Sequence, residues 1–541
     1  QIYAHTSLFD EKHKKLTGEM PFLQYLFEFL DSFDFGENHS DENKSDLISS
    51  AVLGQVFERL NGYKDGSFYT PSFITSYMSK ASIDKLVLAK FSEFFGVNLA
   101  NLDDLEDEIN AQIRKSQNRS EIYKALNSLI DSLKICDPAV GSGYFLVSAL
   151  NYIIFLKSKL GILIDENAKP LKVEISYKFD ELIVCEYDGS IIRYSRPTSQ
   201  TDPRQIIQKT LFNEKAKIIE NCLFGVDINP NSCEIARLRL WIELLKSSYF
   251  TDLSEQDPFE QNALETLPNI DINIKCGNSL VSYFDLKRKF TIPNISYRIN
   301  QYKHAVNLYK SGLGDKSQIS SEIKNLQTTF KNLCFANEYK EKVKKFKSEC
   351  DKYSQKYGDY LAKDDLRLAR YVSNSFFVEF DENEAKKDFA KLLKLYDETF
   401  SLDNLNPFEW RFEFPEILDE NGDFVGFDLI IANPPYIRQE AIKEQKDILK
   451  NKFKIFCGTA DIYTYFFELG LNILKNDGIL SFVTSNKFFR ASYGQNLREF
   501  MLKNTQIHSI TDLTGLKVFD MAIVDTAITI LQKQKPQKND T

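Results

Sequence analysis

The sequence has little cysteine or histidine from which a metal site or a disulfide framework could be built. Its eight cysteines include no C-x-x-C pair, and its five histidines are scattered along the chain. Structural zinc sites need closely spaced ligands, and small disulfide scaffolds need dense, ordered cysteines. The composition indicates neither. It also argues against a metal-dependent nuclease or a histidine-based triad within these residues, and we expect no bound metal.

Long apolar runs are scarce as well. No run of about 20 consecutive apolar residues, the length that crosses a bilayer, is present. The 541 residues exceed what one hydrophobic core usually supports, and the apolar content of 43% is ordinary. These features favour a multi-domain cytoplasmic enzyme without a membrane partner. Because the chain begins with Gln1 and turns polar abruptly from Gln532, we expect a piece of a longer protein.

The most informative segment is an apolar strand that delivers polar and aromatic groups to one point. Residues 427–436 read Phe-Asp-Leu-Ile-Ile-Ala-Asn-Pro-Pro-Tyr. The side-chain oxygen of Asn433 and a neighbouring carbonyl can accept both hydrogens of a conjugated amino group, which localises its lone pair. Pro434 and Pro435 fix the turn and remove two backbone donors, and Tyr436 can stack on a flat base. Alone, the segment is also compatible with an ordinary strand-ending turn.

A second segment has the layout of a nucleotide-binding loop. A short apolar strand ends at Asp137, the turn contains Gly141 and Gly143, and a helix is predicted from Tyr144 to about Leu156. The glycines let a ligand approach the backbone closely. The turn has neither the Lys-Ser/Thr of a phosphate loop nor the full G-x-G-x-x-G spacing. The preceding carboxylate suits a cationic ligand, such as a sulfonium or an amine.

Two further predicted strands end in polar side chains. The strand 222–226 runs into Asp227, and the strand 272–276 is followed by Asn278. Such an Asp can hold ribose hydroxyls, and such an Asn can pair with an adenine edge. Each alone is more often a helix cap or a turn residue. Four strands ending in groups suited to one nucleoside predict an α/β fold with a Rossmann-like, doubly wound, mostly parallel sheet.

Together these segments resemble S-adenosylmethionine-dependent DNA adenine-N6 methyltransferases of restriction-modification systems, in the gamma order of motifs. The resemblance implies a class I methyltransferase fold and S-adenosylmethionine as cofactor. It assigns catalysis to Asn433, Pro434, Pro435, Tyr436 and Phe519. It implies a cofactor site formed by Tyr69, Thr70, Asp137, Pro138, Ala139, Gly141, Gly143, Asp227, Ile228, Asn278 and Asn433.

The same resemblance implies which part of the cofactor each segment holds. Residues 137–146 would bind the methionine part, Asp227 the ribose and Asn278 the adenine. Residues 66–71 resemble an element that closes over the methionine end, with Thr70 as a hydroxyl donor.

Other segments bear on the target base and on the subfamily. Residues 515–519 resemble a segment whose aromatic ring, here Phe519, packs against the flipped base, although a Phe before a strand is by default a core residue. Residues 53–66 and 408–416 resemble the methylase part of type IIG enzymes, in which a methylase is fused to an endonuclease. Phage-exclusion methylases share parts of this pattern.

The motifs divide the chain into regions. We predict a helical region at 1–118 that includes the cofactor-closing element, a catalytic domain at 119–535 with insertions at 160–215 and 296–402, and at 536–541 the start of a linker to a target recognition domain. Within the first region, an apolar stripe at helical spacing begins at Phe22.

Periodicity predicts the form of each insertion. Alternation over 171–194, broken at Asp188-Gly189, predicts a β-hairpin that is not a core strand. Apolar residues at three- and four-residue spacing over 323–360 predict a long helical hairpin. After the Asn-Pro-Pro-Tyr segment, we predict a helix at 460–474, a turn at 476–478 and a strand at 479–484, which restores the βα alternation.

The net charge of −9 fits least well with a DNA partner, because Lys and Arg dominate binding to phosphates. Local positive charge follows the catalytic segment, and we predict nucleic-acid contacts there from Lys446, Lys450, Lys452 and Lys454. The alternative is a solvated helix face. The larger cause would be a recognition domain C-terminal to these residues, and any nuclease domain would also lie outside them.

The resemblance implies methyl transfer to the amino group of an adenine flipped out of double-stranded DNA. Asn433 and the Pro434 carbonyl would polarise the amine while Tyr436 stacks, so positioning and electrostatics carry the rate. Alternatives stay open. The same segment can act on a protein glutamine or a guanine in RNA, and a cytosine methylase more often has Ser at position 433. A non-enzymatic DNA-specificity module would not need the intact glycine loop.

Overall fold

The structure is a computed structural model of the chain. The residues that it describes are 3–5, 19–21, 69–186, 188–251, 264, 265, 267–269, 273–286, 294–312, 315–334, 337–365, 367–373, 380–400, 402, 405–516, 518 and 525–536.

The described residues contain eleven β-strands. In chain order they are β1 (Tyr3–His5), β2 (Glu19–Pro21), β3 (Ile135–Asp137), β4 (Glu174–Lys178), β5 (Glu181–Cys185), β6 (Leu223–Asp227), β7 (Ile274–Cys276), β8 (Phe427–Ala432), β9 (Leu474–Ser485), β10 (Gln506–Asp512) and β11 (Thr526–Gln532).

Helices separate most of these strands. The α-helices are Ser72–Phe95, Leu102–Lys115, Arg119–Asp131, Tyr144–Lys159, Pro203–Cys222, Pro230–Leu245, Ile295–Lys310, Lys316–Cys334, Asn337–Tyr357, Glu382–Phe400, Trp410–Glu413, Lys446–Lys452, Tyr463–Ile473 and Gln495–Asn504. Among the described helices, none combines the length and the apolar content that a membrane crossing requires.

A seven-stranded sheet in the order β10-β11-β9-β8-β3-β6-β7 forms the centre of the molecule. The five strands from β9 to β7 are parallel, β11 is antiparallel to β9, and β10 is antiparallel to β11. From β3 the chain proceeds to β6 and β7 on one side, whereas β8 and β9 lie on the other. The strand order therefore reverses between β3 and β8. This confirms the predicted doubly wound, mostly parallel α/β fold.

Both faces of the sheet are buried. Along β8, Leu429 and Ile431 belong to one hydrophobic cluster, and Ile430 and Ala432 belong to another. Successive side chains of a strand point to opposite faces, so each face has its own core. Helices on both sides explain why the strands are nearly continuous in apolar residues, as is typical of parallel sheets.

The first insertion contains the predicted hairpin turn at Asp188-Gly189 and, before it, a hairpin that the sequence did not predict. Strands β4 and β5 pair outside the main sheet and are joined at Phe179 and Asp180, whose φ angles are 49° and 70°. Two consecutive left-handed residues match the twist of a tight hairpin. Asp188-Gly189 forms the predicted turn: the chain after β5 folds back antiparallel to it, with Cys185 opposite Ile191, and Gly189 N–H donates to the Glu186 carbonyl at 2.9 Å. The predicted boundary at residue 215, in contrast, falls inside one helix, Pro203–Cys222.

The second insertion is helical as predicted, but it forms two helix pairs rather than one long hairpin. Ile295–Lys310 packs on Lys316–Cys334, and Asn337–Tyr357 packs on Glu382–Phe400. The second pair has its own hydrophobic cluster, which includes Phe346.

Two further expectations are corrected. Strands β1 and β2 pair with each other inside the region for which helices are predicted, whereas the apolar stripe from Phe22 lies outside the described residues. The predicted turn at 476–478 belongs to β9. Asp477 is left-handed there, but its N–H donates to the Lys533 carbonyl at 3.0 Å and the Gly478 carbonyl accepts from Lys533 N–H at 2.9 Å, so the segment remains paired.

Candidate active site

The candidate site lies where the strand order reverses. Asp137 is the last residue of β3, and Asn433 directly follows β8. The two strands are parallel neighbours, with Ile135 opposite Leu429. Their carboxyl ends therefore open at the same edge of the sheet, which is where ligands bind in open α/β sheets.

The loop after β3 takes a conformation that its glycines make possible. Gly141 and Gly143 have φ angles of 51° and 82°, and Gly143 N–H donates to the Val140 carbonyl at 2.8 Å. A Cβ on Gly143 would lie 3.1 Å from the Cβ of Ala236 on the neighbouring helix Pro230–Leu245. Glycine thus serves both the left-handed backbone and the close packing of loop against helix.

An arginine that the sequence reasoning missed supports this loop. Arg239 is 2% exposed, and its Nη1 donates to the carbonyl of Ser142 at 3.0 Å. Its guanidinium also lies 3.8 Å from the ring centroid of Tyr144, within cation–π range. Arg239 stands among apolar residues of a helix, and no motif in the sequence marks it.

Two carboxylates lie on either side of the loop. The Asp137 side chain is 1% exposed and accepts from Ala139 N–H at 2.9 Å. Burial raises the pKa of Asp137 well above its usual range, and nearby Asp227 raises it further. Asp227 is half-buried and accepts from the N–H groups of Gly141 at 2.9 Å and Asn229 at 2.8 Å. Asp227 therefore connects the end of β6 to the glycine loop through Gly141, whereas the buried Asp137 side chain contacts the same loop at Ala139.

Asn278 lies in the turn that follows β7. Its side chain is 7% exposed, and its Oδ1 accepts from Leu280 N–H at 3.1 Å, which stabilises the turn itself. The next hydroxyl, Ser279 Oγ, donates to the Pro138 carbonyl at 2.6 Å, so this turn contacts the glycine loop directly. The indole of Trp410 donates to the Ser279 carbonyl at 3.1 Å. Trp410, in the aromatic segment 408–416, thus stabilises this turn through a hydrogen bond.

The two segments predicted to surround the reacting groups meet directly. Asn433 Nδ2 donates to Thr70 Oγ1 at 3.0 Å. Thr70 is buried, and the ring of Tyr69 contacts that of Tyr144 edge to face with centroids 5.0 Å apart. The described part of the predicted cofactor-closing element, residues 69–71, therefore contacts both the Asn-Pro-Pro-Tyr segment and the helix after the glycine loop.

The remainder of the Asn-Pro-Pro-Tyr segment is held against the core. Pro434 is buried, and Pro435 and Tyr436 are half-buried. The hydroxyl of Tyr436 donates to the Val483 carbonyl at 3.3 Å, and its ring meets that of Tyr463 at 84°. Burial raises the pKa of Tyr436, so the phenol stays protonated at neutral pH.

The predicted nucleic-acid lysines separate into two pairs. Lys446 donates to the Gly458 carbonyl at 2.7 Å, and Lys452 donates to Ser282 Oγ at 2.7 Å. Lys450 and Lys454 are exposed, and neither has a carboxylate within 4.0 Å among the described residues. Of the four predicted lysines, only Lys450 and Lys454 can therefore bind an external anion without breaking a contact with a described residue.

Two other predicted positions complete the comparison. Ile228 directly follows Asp227 and is 50% exposed. Phe519 lies outside the described residues. Within the described residues, no group of three or more His, Cys, Asp or Glu side chains is placed to hold a metal ion.

Protein families match most of the chain. The Eco57I restriction-modification methylase family matches residues 221–519, more than half of the chain. The DNA-methyltransferase domain of MmeI matches residues 113–291, and a domain of unknown function matches residues 1–48.

Individual relatives are longer than this chain. RM.MjaORFECS2P of Methanocaldococcus jannaschii is 28% identical over 553 residues, which cover 98% of this chain and 41% of the relative. The type II restriction enzyme and methyltransferase RM.Eco57I of Escherichia coli is 30% identical over 112 residues, 20% of this chain and 11% of the relative. The chain spans less than half the length of these curated relatives.

A solved structure of the type IIL restriction-modification enzyme MmeI in complex with DNA aligns with 91% of this chain and 41% of that chain. The identity is 12% and the TM-score 0.36, too low to support an inference about this protein. The family match, in contrast, covers β6 to β10 and the Asn-Pro-Pro-Tyr segment. On that match, the chain belongs to the Eco57I restriction-modification methylase family.

Proposed function

We propose that this chain binds S-adenosylmethionine at the carboxyl ends of β3, β6 and β7, and that the complete protein methylates the N6 amino group of adenine in double-stranded DNA. The observation that carries the proposal is the hydrogen bond of 3.0 Å between Asn433 and Thr70. This bond supports the proposal because it joins an amide suited to polarise an amine to the element predicted to close over the cofactor.

The residues present fit the proposed cofactor. The left-handed Gly141 and Gly143 have no Cβ, so a ligand can approach the backbone of the loop closely at these two positions. Asp227 offers a half-buried carboxylate at the end of the next strand, which suits ribose hydroxyls. Burial raises the pKa of the Asp137 carboxyl group, and a cationic ligand next to it would lower that pKa and favour the charged form. When bound, S-adenosylmethionine supplies a methyl group on a positively charged sulfur.

The acceptor side of the site is formed by Asn433 and the prolines after it. An amide oxygen and the Pro434 carbonyl can both accept hydrogens of one exocyclic amine, which localises the lone pair of the nitrogen. Tyr436 is anchored through its hydroxyl, so the ring is held in one orientation at little entropic cost. A preorganised site of this kind accelerates transfer by position and electrostatics and needs no covalent enzyme intermediate.

DNA is the proposed macromolecular partner, and the cytoplasm is the proposed location. Exposed Lys450 and Lys454 follow the catalytic segment and are suited to phosphate contacts. In a chain of net charge −9, two lysines supply little affinity, so we propose that a target recognition domain outside this chain provides the main DNA contacts. A nuclease domain, as in fused type IIG enzymes, is proposed outside this chain as well.

The proposal is tested by methyl transfer from labelled S-adenosylmethionine to unmethylated DNA, with the complete protein and with digestion of the DNA to nucleosides. Label in N6-methyladenine is the expected result. Label in methylcytosine would identify cytosine, and not adenine, as the methylated base. Label in RNA or in protein glutamine, with none in DNA, would overturn the DNA proposal and retain the chemistry of the Asn-Pro-Pro-Tyr segment.

A further inference from the structure

The helix that follows Thr70 lacks a cap of its own. It spans Ser72–Phe95, the preceding residue Pro71 makes no side-chain capping bond, and its first turn contains no acidic residue. A helix N-terminus has unpaired N–H groups and a partial positive charge, and a nearby carboxylate normally stabilises it. The orientation of this helix fixes where Thr70 lies, so a missing cap bears on the site itself.

A carboxylate from the hairpin insertion is located at this end of the helix. Asp180 lies in the turn between β4 and β5, and its side chain is 9% exposed. Its Oδ1 accepts from Ser76 Oγ at 2.8 Å, and its Oδ2 accepts from Thr75 Oγ1. Thr75 lies in the first turn of the helix and Ser76 at the start of the second, more than 100 residues before Asp180 in sequence. The hairpin turn thus supplies hydrogen-bond acceptors to the start of this helix.

Asp180 is itself held in place by neighbouring groups. The hydroxyl of Tyr177 donates to its Oδ1 at 2.9 Å. Its backbone carbonyl accepts from Asn151 Nδ2 at 2.7 Å, and the same amide contacts Glu243 Oε2 at 3.1 Å. Asn151 belongs to the helix Tyr144–Lys159, which begins directly after the glycine loop. One hairpin turn is therefore bonded both to the helix after Thr70 and to the helix after Gly143.

A second set of hydrogen bonds joins the same two helices and the hairpin. Ser148 Oγ lies 2.8 Å from Ser79 Oγ and 2.9 Å from the hydroxyl of Tyr177. Ser148 and Ser79 are fully buried. Buried hydroxyls that bond one another and a carboxyl group favour a single arrangement of the three elements, because a shift would break hydrogen bonds that no water can replace there.

We propose that Asp180 is a positioning residue for the cofactor site: the hairpin carboxylate fixes the start of helix Ser72–Phe95, and thereby Thr70, relative to the glycine loop. The inference rests on the proposed binding of S-adenosylmethionine. It gives the hairpin a role in binding, where the sequence predicted only an insertion. An alternative is that the buried polar cluster stabilises the fold without affecting the site.

The test compares Asp180→Gly, Asp180→Asn and the control Asp188→Asn in the complete protein. Glycine accepts the φ of 70° at position 180, so that variant removes the carboxylate without backbone strain. Asp188 lies in the other turn of the same insertion and accepts only from Ser190 among the described residues. We measure the Kd for S-adenosylmethionine by titration calorimetry, the melting temperature, and hydrogen exchange of a peptide that covers residues 69–76.

We expect Asp180→Gly to raise the Kd about tenfold or more, since hydrogen bonds to a charged group are lost, and Asp180→Asn to raise it less. Exchange at 69–76 should rise in both, even without ligand, and Asp188→Asn should match the unsubstituted protein. A lower melting temperature with unchanged Kd and unchanged exchange at 69–76 would overturn the positioning role.

Two outcomes separate this inference from the proposed function. If the unsubstituted protein does not bind S-adenosylmethionine, the proposed function fails, and exchange at 69–76 still decides whether Asp180 orders the helix. If Asp180→Gly does not fold, Ser76→Ala removes one of the bonds from the helix side. That variant should raise the Kd by about threefold or more, and an unchanged Kd would overturn the inference.

Discussion

The side-chain amide of Asn433 donates to the hydroxyl of Thr70 at 3.0 Å, across a sequence separation of 363 residues. One residue directly follows a central strand of the sheet, and the other precedes the helix Ser72–Phe95. The bond therefore links the proposed amine-polarising group to the element proposed to close over the cofactor. Thr70 is therefore in a position to fix the orientation of the Asn433 amide.

Replacing Asn433 by alanine is expected to abolish methyl transfer and to leave cofactor binding nearly intact. The amide polarises the acceptor amine, and removal of one such polar contact typically lowers the rate by about 100-fold or more. Initial rates with labelled S-adenosylmethionine, together with the Kd from titration calorimetry, check this expectation. Loss of cofactor binding in the variant would contradict the role assigned to Asn433.

Thr70→Val and Thr70→Ser form a matched pair. Valine keeps the shape of threonine and loses the hydroxyl that accepts from Asn433, whereas serine keeps the hydroxyl. We expect Thr70→Val to lower kcat by about tenfold, the cost of one hydrogen bond in a positioned site, and Thr70→Ser to lower it far less. Equal rates for the two variants would show that the hydroxyl is not used.

Asp227→Ala is expected to weaken binding of S-adenosylmethionine by about tenfold or more, since hydrogen bonds to a charged group are lost. The carboxylate is proposed to hold the ribose, and it also accepts from the Gly141 N–H at 2.9 Å, so its loss loosens the glycine loop. Titration calorimetry measures the change, and Asp188→Asn again serves as a surface control. An unchanged affinity would remove Asp227 from the site.

Much of the sheet could be predicted because its strands are short apolar runs that end in distinctive residues. The ends of β3, β6, β7 and β8 were each marked by Asp, Asn, Gly or Pro, and parallel strands bring such ends to one edge. The predicted hairpin turn at Asp188-Gly189 is confirmed, because this pair has the composition of a tight turn. The turn at Phe179-Asp180 was not predicted, because a bulky residue such as Phe rarely adopts a left-handed backbone conformation.

Supporting residues were not predictable for a related reason. Arg239 and Asp180 act through partners about 100 residues away in sequence, Ser142 for the first and Thr75 for the second. Neither lies in a motif or a periodic pattern. Their partners become evident only when helices pack, because burial of a charge is a property of the folded chain.

Gly143→Ala is expected to destabilise the protein more than Gly161→Ala. Both glycines are left-handed, with φ angles of 82° and 65°, so each substitution costs about 1–2 kcal/mol in backbone strain. At Gly143 the new Cβ would in addition lie 3.1 Å from Ala236 Cβ, whereas nothing lies within 4 Å at Gly161. Melting temperatures of the two variants check the difference. Equal falls in melting temperature would show that the glycine loop shifts to accommodate the new Cβ, and would argue against a rigid loop.

Asp137→Asn is expected to stabilise the ligand-free protein at pH 8 and to weaken binding of S-adenosylmethionine. Burial raises the pKa of Asp137 in the folded state above its usual value of 3.8. As pH rises above 3.8, Asp137 loses its proton in the unfolded chain before it loses it in the folded protein. The free energy of unfolding therefore falls as pH rises toward the folded-state pKa. Asparagine keeps the acceptor for Ala139 N–H and does not ionise. The gain in melting temperature should therefore be larger at pH 8 than at pH 5.

The control Asp188→Asn should show no such gain. Hydrogen bonds from Ser190 lower the pKa of that exposed carboxylate, so its effect on stability has the opposite sign to that of Asp137. A gain of equal size at both pH values would mean that the Asp137 carboxylate is not the titrating group.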